Sequence, residues 1–272
     1  MAERMLTALI SVPVIFLCTY FGGWWFFALV TALAIVSINE FYNILSKKGF
    51  APYYTLGNIF TLLIVTQVHN TLKHPNWEPV SAALLTAAVI TCFCAGVLIR
   101  RSANAASNIG ITLLGILYIG WLFSYMVILR ALTAHGIYLF MLMFMLWISD
   151  TLAYFVGKTM GRRQLSPFIS PKKTVEGAAA GLTGAVITAL IFGAVIEKAH
   201  FGTTYIHYIF LGLIIGAMGQ MSDLAESLIK RDAGVKDSSN IIPGHGGVLD
   251  RMDSFIFTAP ILYYYVSVFL IK

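Results

Sequence analysis

The chain has 272 residues, of which 58% are hydrophobic and only 11% are charged, whereas about a quarter of the residues of a soluble domain are charged. This composition excludes an ordinary soluble enzyme and indicates an integral membrane protein. Lipid cannot satisfy backbone hydrogen bonds, and the long apolar runs lack two-residue alternation, so the spans are predicted to be helices. The net charge of +6 fits binding to nucleic acid or to an anionic membrane surface. The positions of the charged residues distinguish these two possibilities.

Nine apolar runs predict an all-α, polytopic membrane protein with about nine transmembrane helices. The first run resembles a signal peptide, but it lacks a small-residue cleavage site and the second run begins directly after Gly22 and Gly23, so we expect it to be retained. We expect a single integral membrane domain over residues 1–272, with N-terminal helices in 1–131 and catalytic helices and loops in 137–272. The runs lie at about residues 5–21, 24–45, 53–69, 79–99, 108–131, 137–157, 175–196, 205–227 and 254–271.

Lysine and arginine are distributed unequally between the two sides that nine spans define. Most of the 18 basic residues fall at the N-terminus or in the loops after spans two, four, six and eight. The exceptions are Lys73, Arg130, Lys198 and Lys272. Basic residues in short loops favour the cytoplasm. We therefore expect a multi-pass protein of a bacterial inner (plasma) membrane, with a cytoplasmic N-terminus and cytoplasmic polar loops, and with the C-terminus on the opposite side.

Acidic residues occur near the cytoplasmic ends of the predicted spans, where a buried charge is costly and therefore informative. Asp150 lies in span six and Asp223 in span eight. Glu226, Ser227 and Lys230 follow Asp223 at spacings of three, four and seven, which places all four on one helical face.

A second carboxylate pair, Asp250 and Asp253, flanks Arg251 at the start of span nine. Oxygen ligands of this kind suit Mg²⁺, which takes one or two carboxylates and completes its shell with water and substrate phosphate. Each acid taken singly is explained as well by pairing with a neighbouring lysine or arginine. The whole set favours a metal site.

Two cytoplasmic segments combine positive charge with turn-forming residues. The segment 230–253 contains several glycines, which let backbone N–H groups approach phosphate, and Lys236 and His245 lie within it. His245 fits an acid, a base, a phosphate donor or a structural turn residue. The segment 158–174 is strongly cationic, which suits a substrate site but equally suits topology or anionic head groups. Its basic residues are Lys158, Arg162, Arg163, Lys172 and Lys173.

The sequence from Ser227 to Asp253, SLIKRDAGVKDSSNIIPGHGGVLDRMD, resembles the signature of the phosphatidate cytidylyltransferases (CDP-diacylglycerol synthases). It contains S-x-x-K-R, K-D, P-x-H-G-G and D-R-x-D in order. WISDTLAYFVGK, SPKKTVEG and GQMSDLAES upstream are similar to other stretches of the family. Ser222 departs from the glycine that the family often has at this position. Spans one to five match only in general hydropathy.

The resemblance implies an enzyme that condenses CTP with phosphatidic acid to give CDP-diacylglycerol and pyrophosphate at the cytoplasmic ends of the C-terminal helices. It implies Mg²⁺ as the cofactor and leaves a second, monovalent cation open. The implied metal ligands are Asp223, Asp250, Asp253 and Glu226. The implied catalytic residues are Asp223, Lys230, Asp250, Arg251 and His245. The implied substrate-binding residues are Lys172, Lys173, Arg162, Ser227, Arg231, Lys236 and Asp237.

Two alternatives stay open at this point. A relative of the family acts on another lipid, such as an isoprenoid alcohol or an ether-linked phosphatidate. A transporter also places acids in its spans, but it is expected to place them near the bilayer midplane rather than at one surface. The expected partners are CTP, phosphatidic acid and the lipid bilayer, with no nucleic acid and with a homodimer as a compatible assembly.

Overall fold

The computed structural model describes residues 2–72, 78–99, 104–196, 204–242 and 246–270, and these are mainly helical. A π-helical stretch, Ile116–Trp121, joins α5 to α6, and a second one, Val266–Leu270, follows α10. The helices are α1 (Ala2–Phe21), α2 (Gly23–Ser46), α3 (Tyr54–Thr71), α4 (Glu78–Ile99), α5 (Ala105–Gly115), α6 (Leu122–Ala131), α7 (Ile137–Met160), α8 (Val175–Ile196), α9 (Thr204–Asp232) and α10 (Leu249–Tyr265). The predicted all-α class is confirmed.

Strand structure in the described residues is confined to one small antiparallel hairpin of β1 (Gln164–Ser166) and β2 (Ser170–Thr174). It occupies the cationic segment between α7 and α8, for which the sequence predicted no strands. Short polar stretches of this kind lack the long alternating pattern from which strands are predicted.

Seven helical segments of the described residues are long and apolar enough to cross a membrane. Each overlaps a predicted span, which confirms a polytopic membrane protein. The predicted spans 5–21 and 53–69 fall on α1 and α3, which are not among the seven, so the number nine stays a prediction. The seven segments are Gly23–Ser46, Val80–Ile99, Ala105–Ala131, Ile137–Met160, Val175–Ile196, Tyr205–Asp232 and Leu249–Leu270.

Large apolar side chains are exposed along these helices, as lipid contact requires. On α4, Phe93, Val97 and Leu98 are all exposed. A contiguous apolar surface of this kind is unfavourable in water but is solvated by lipid chains. The exposed apolar surface is therefore consistent with the membrane assignment.

The chain divides into two compact units, one of residues 1–136 and 232–252, the other of residues 137–231 and 253–272. The predicted single domain stays a prediction. In the first unit, Tyr42 is fully buried and its hydroxyl donates to the carbonyl of Thr112 at 2.8 Å. A Cβ at Gly57 or Gly115 would overlap the Tyr42 ring, so these glycines allow α2, α3 and α5 to pack around it.

Arg130, at the end of α6, is a buried charge in the first unit. Its guanidinium donates to the carbonyl oxygens of Thr19, Tyr20, Thr133 and Ala134. These carbonyls lie at or just beyond the C-terminal ends of α1 and α6, where backbone acceptors lack helical partners. Arg130 therefore stabilises two helix ends.

In the second unit, α7 and α8 pack closely through glycines. A Cβ at Gly177 would lie 2.6 Å from the Ala153 carbonyl oxygen and 3.1 Å from the Gly157 Cα, and a Cβ at Gly181 would lie 2.9 Å from the Ser149 carbonyl oxygen. Small residues at four-residue spacing, as at Gly177 and Gly181, allow two helices to approach this closely. The close packing brings the C-terminal part of α7 against the start of α8.

Candidate active site

The β-hairpin is fixed to α8 at its base. Thr174 caps α8, because its hydroxyl accepts a hydrogen bond from the Gly177 N–H at 3.1 Å. Glu176, in the first turn, accepts from the backbone N–H groups of Arg162 and Arg163 at 3.0 and 3.2 Å. These contacts set the position of β2, the strand that carries the two predicted lysines.

A cavity of about 610 Å³ lies between the hairpin, α7, α8 and α9 in the second unit. We call it the Asp223 cavity. It brings together Lys172, Lys173 and Asp223, which are three of the predicted site residues, and adds Asp150 and Lys158. The rest of its lining is Ala153, Tyr154, Gly157, Leu165, Thr174, Gly177, Ala178 and Gln220.

The centre of the charged lining is an ion pair in which Lys173 Nζ lies 2.5 Å from Asp223 Oδ2. The two side chains are 28% and 30% exposed, so a ligand in the cavity can reach both. Ser227, one turn along α9, donates its hydroxyl to Asp223 Oδ1 at 3.3 Å. An ammonium group suits phosphate oxygen and a carboxylate suits a divalent cation. The pair therefore offers both kinds of contact to a metal polyphosphate.

A second ion pair on α9 is buried. Glu226 Oε2 lies 2.5 Å from Lys230 Nζ, and the two side chains are only 2% and 10% exposed. The sequence assigned Glu226 to metal and Lys230 to catalysis. The structure joins them to each other one helical turn apart, and their predicted roles stay predictions.

Asp253, in the first turns of α10, is also buried. Its Oδ1 accepts from the Ser254 N–H at 2.6 Å, and its carbonyl oxygen accepts from the Ser222 hydroxyl. The charges of Asp223, Lys230 and Asp150 lie close enough to act on it electrostatically. Carboxylates of α7, α9 and α10 in the second unit thus lie within electrostatic range of Asp253.

Two predicted substrate-binding arginines lie at the hairpin. Arg231, at the end of α9, donates from Nε to the Ile169 carbonyl at 3.3 Å. Arg162 is exposed at the hairpin base. Neither side chain is among those that line the cavity.

The remaining predicted residues belong to the first unit. Asp250 accepts hydrogen bonds from Ser238 N and Oγ, at 3.0 Å each to Oδ2, and from Gly247 N at 2.8 Å. The structure therefore shows Asp250 as an organiser of the loop before α10. His245 lies outside the described residues. Lys236, Asp237 and Arg251 are exposed.

Glu40 on α2 contacts the same loop and was not predicted. It is 1% exposed, and each carboxylate oxygen accepts two hydrogen bonds. Oε1 accepts from Ser239 Oγ at 2.5 Å and Val248 N at 3.1 Å, and Oε2 accepts from Ser238 Oγ at 3.1 Å and Leu249 N at 2.7 Å. We call this set of residues the Glu40 clamp.

Comparison with known proteins identifies the family to which these residues belong. Residues 2–269 match the model of the cytidylyltransferase family. The chain is 34% identical to the phosphatidate cytidylyltransferase of Bacillus subtilis, with 99% of this chain and 98% of the relative aligned. It is 32% identical to the enzymes of the same name from Synechocystis and Staphylococcus aureus, with at least 96% of each chain aligned.

The chain belongs to the cytidylyltransferase family. The matches confirm the family and the enzyme class that the Ser227–Asp253 signature predicted. They extend over α1 to α6 as well, where the sequence resemblance was limited to hydropathy. A transporter is thereby contradicted, since the whole chain matches a nucleotidyltransferase family.

The donor atoms of the Asp223 cavity fit the Mg²⁺ that the resemblance implies. Among the described residues, no three His, Cys, Asp or Glu side chains gather as a metal cage. Mg²⁺ does not require such a cage, because it is usually held by one or two carboxylates together with water and phosphate oxygens. Asp223 and Asp150 line an open cavity beside lysines, which is the setting that such a shared shell needs.

Glu40 was not predicted as a site residue, although its position in the sequence indicated a functional role. It interrupts the apolar run 24–45, and an acid inside a span is a functional indication by itself. Asp150, Asp223 and Glu226 were predicted as site residues by this rule, whereas Glu40 was not. Ser238 and Ser239 were missed because serine is common in loops and carries little information without its partner.

Proposed function

We propose that the chain transfers the cytidylyl group of CTP to phosphatidic acid, giving CDP-diacylglycerol and pyrophosphate. The observation that carries this proposal is the partly exposed Lys173–Asp223 pair in a cavity lined by two more lysines and a second aspartate. Family membership gives the reaction class, and the curated relatives are named phosphatidate cytidylyltransferases.

In this reaction a phosphate oxygen of the lipid attacks the α-phosphorus of CTP. A new oxygen–phosphorus bond forms, the bond from the α-phosphorus to the bridging oxygen breaks, and the electron pair leaves with pyrophosphate. Phosphoryl chemistry of this kind depends on positioning and charge stabilisation rather than on a covalent protein intermediate. Lys172 and Lys173 supply positive charge where negative charge accumulates, and Lys158 adds to it at the cavity wall.

We propose Asp223 as the main protein ligand of Mg²⁺, with Asp150 beside it in the cavity. The bound ion would neutralise the phosphates and polarise the α-phosphate towards attack. Lys173 would then exchange its contact with Asp223 for one with a phosphate oxygen. The pairing of these side chains at 2.5 Å supports a site that holds opposite charges together until a ligand separates them.

We propose that the site faces the cytoplasm of a bacterial inner membrane. The basic segments 158–174 and 230–253 support this orientation, because short basic loops stay on the cytoplasmic side. A homodimer stays a prediction, which the mass of the detergent-solubilised protein would test.

The proposed reaction is tested with purified protein, CTP labelled at the α-phosphate, and phosphatidic acid in detergent micelles. We expect labelled CDP-diacylglycerol and pyrophosphate in equal amounts, and no product when Mg²⁺ is removed by a chelator. Parallel reactions with an ether-linked phosphatidate and with an isoprenoid alcohol test the lipid. Faster transfer to either of these lipids than to phosphatidic acid would contradict the proposed substrate.

A further inference from the structure

The Glu40 clamp joins two parts of the chain that lie far apart in sequence. Glu40 on α2 contacts residues about 200 positions later, on both sides of the segment 240–247. Ser238 and Ser239 precede that segment, and Val248 and Leu249 follow it. One carboxylate therefore holds both ends of the loop that leads into α10.

The contact at the C-terminal end of the loop is a helix cap. The N–H groups of Val248 and Leu249 lie at the start of α10, where backbone donors have no partner within the helix. Glu40 accepts from both of them at 3.1 and 2.7 Å. A negative charge at a helix N-terminus also interacts favourably with the helix dipole. The clamp thus fixes where α10 begins.

Asp250 depends on the same contacts. Ser238 Oγ lies 3.1 Å from Glu40 Oε2 and 3.0 Å from Asp250 Oδ2, and it has one proton to donate between them. The Ser238 N–H is directed at Asp250 as well. A displacement of Ser238 therefore alters the hydrogen bonding of Asp250 directly.

The clamp requires a carboxylate and leaves no spare room. Each carboxylate oxygen accepts from one backbone N–H group, which cannot accept a hydrogen bond, so an amide N–H₂ group in place of either oxygen would face a donor. A Cβ at Gly247 would overlap Ser238 Oγ and lie 2.6 Å from Glu40 Oε2. Both the charge of residue 40 and the absence of a side chain at residue 247 are thus needed.

We infer that Glu40 is a positioning residue for the cytidylyl transfer: it holds the loop 238–249 and, through Ser238, orients Asp250. As a positioning residue, Glu40 acts through Ser238 and Asp250 and does not contact substrate itself. The inference rests on the proposed function and on the role as a Mg²⁺ ligand that the family resemblance implies for Asp250. It gives α2, in the N-terminal half of the chain, a role in the chemistry.

The test compares Glu40→Gln and Glu40→Asp in full-length protein, with Asn39→Ala as the matched control. Asn39 is the neighbouring residue on α2, and its amide bonds Asn58 and the Ile35 carbonyl rather than the loop. We expect Glu40→Gln to lower kcat and to raise the Mg²⁺ concentration for half-maximal rate, each by about 10- to 100-fold, as loss of an outer-shell partner does. Glu40→Asp should recover part of the lost kcat and part of the Mg²⁺ affinity. Asn39→Ala should leave kcat and the Mg²⁺ requirement unchanged.

Hydrogen exchange supplies a readout that is independent of activity. In Glu40→Gln, the amides of Val248 and Leu249 should exchange at least about tenfold faster, while those of the hairpin 164–174 keep their rate. If Glu40→Gln does not fold, Ser238→Ala replaces it, because it removes only the hydroxyl between the two carboxylates. We expect this variant to raise the Mg²⁺ requirement about tenfold.

Two results would overturn the inference. One is an unchanged amide exchange rate of Val248 and Leu249 in Glu40→Gln. This result would show that Glu40 does not hold the loop, whatever the activity of the variant. The other is a lower kcat with an unchanged Mg²⁺ requirement and no recovery in Glu40→Asp, which would indicate only a smaller folded fraction. If the wild-type protein makes no CDP-diacylglycerol, the proposed function fails, and the exchange experiment still decides whether Glu40 holds the loop.

Discussion

The Asp223 cavity and the Glu40 clamp are both built from carboxylates near polar loops, yet they satisfy their charges differently. In the cavity, Lys173 and Asp223 are each more than a quarter exposed and their pairing leaves oxygen and nitrogen atoms open to a ligand. In the clamp, Glu40 is 1% exposed and four protein donors occupy its two oxygens.

This difference separates binding from positioning. A carboxylate that keeps coordination sites open can exchange protein partners for metal and phosphate, whereas a buried carboxylate whose oxygens are paired with protein donors holds its neighbours in place. Substitutions in the cavity should therefore affect the chemical step most, those in the clamp should act through geometry, and those at Arg130, a buried charge in neither set, should affect stability alone.

The largest effect is expected for Asp223→Asn. Loss of the carboxylate removes the proposed metal ligand and leaves Lys173 without its partner, which should lower kcat about 10³-fold, the equivalent of several kcal/mol of charge stabilisation. The rate of CDP-diacylglycerol formation measures this. Asp232→Asn, on the same helix at an exposed ion pair with Lys48, is the matched control and should retain its rate. Undiminished turnover in Asp223→Asn would refute the metal assignment.

Lys173→Met should lower kcat/KM about 10²-fold, because it removes a charge that stabilises the departing pyrophosphate. Lys173→Arg keeps the charge and should recover part of the loss. The control is Lys47→Met, which removes an exposed lysine outside the cavity. Equal effects of Lys173→Met and Lys47→Met would show that only the net surface charge matters.

Gly247→Ala tests the clamp from the loop side and should lower kcat about tenfold through displacement of Ser238 and Glu40. Overpacking of this kind also costs about 1–3 kcal/mol of stability. Gly234→Ala is the comparison, since nothing lies within 4 Å of its Cβ position although its φ is +70°. A larger loss of activity in Gly234→Ala would argue that backbone strain, and not space in the clamp, limits this region.

The smallest effect on catalysis is expected for Arg130→Met. Its carbonyl partners at the ends of α1 and α6 lose a charged donor, which should cost about 2–3 kcal/mol of stability. The turnover of the folded fraction and its Mg²⁺ requirement should not change. Thermal unfolding in detergent and kinetics corrected for folded protein measure the two quantities. A changed Mg²⁺ requirement would contradict the separation of stability from chemistry.

Much of the second unit could be predicted from the sequence. The spacing of Asp223, Ser227 and Lys230 predicted a polar helical face, and local periodicity suffices for that because all three lie on α9. Lys172, Lys173 and Asp223 were assigned to one site by the family resemblance, and the distribution of basic residues predicted that the polar segments lie on one side of the membrane.

The first unit was harder to predict because its polar contacts are long-range. Glu40 and Ser238 are almost 200 residues apart, and no local pattern pairs an acid in one span with a serine before another. The hairpin was missed for a related reason, since its strands are short and are fixed by Thr174 and Glu176 at the start of α8 rather than by their own sequence pattern. Such features emerge only from tertiary structure.

The most direct test of the Asp223 cavity as the catalytic site is a structure of the protein with Mg²⁺ and a CTP analogue that cannot transfer its α-phosphate. We expect triphosphate density in the cavity, with a metal ion bound to Asp223 and with Lys173 turned from Asp223 to a phosphate oxygen. Nucleotide bound elsewhere, with the Lys173–Asp223 pair intact and the cavity empty, would contradict it.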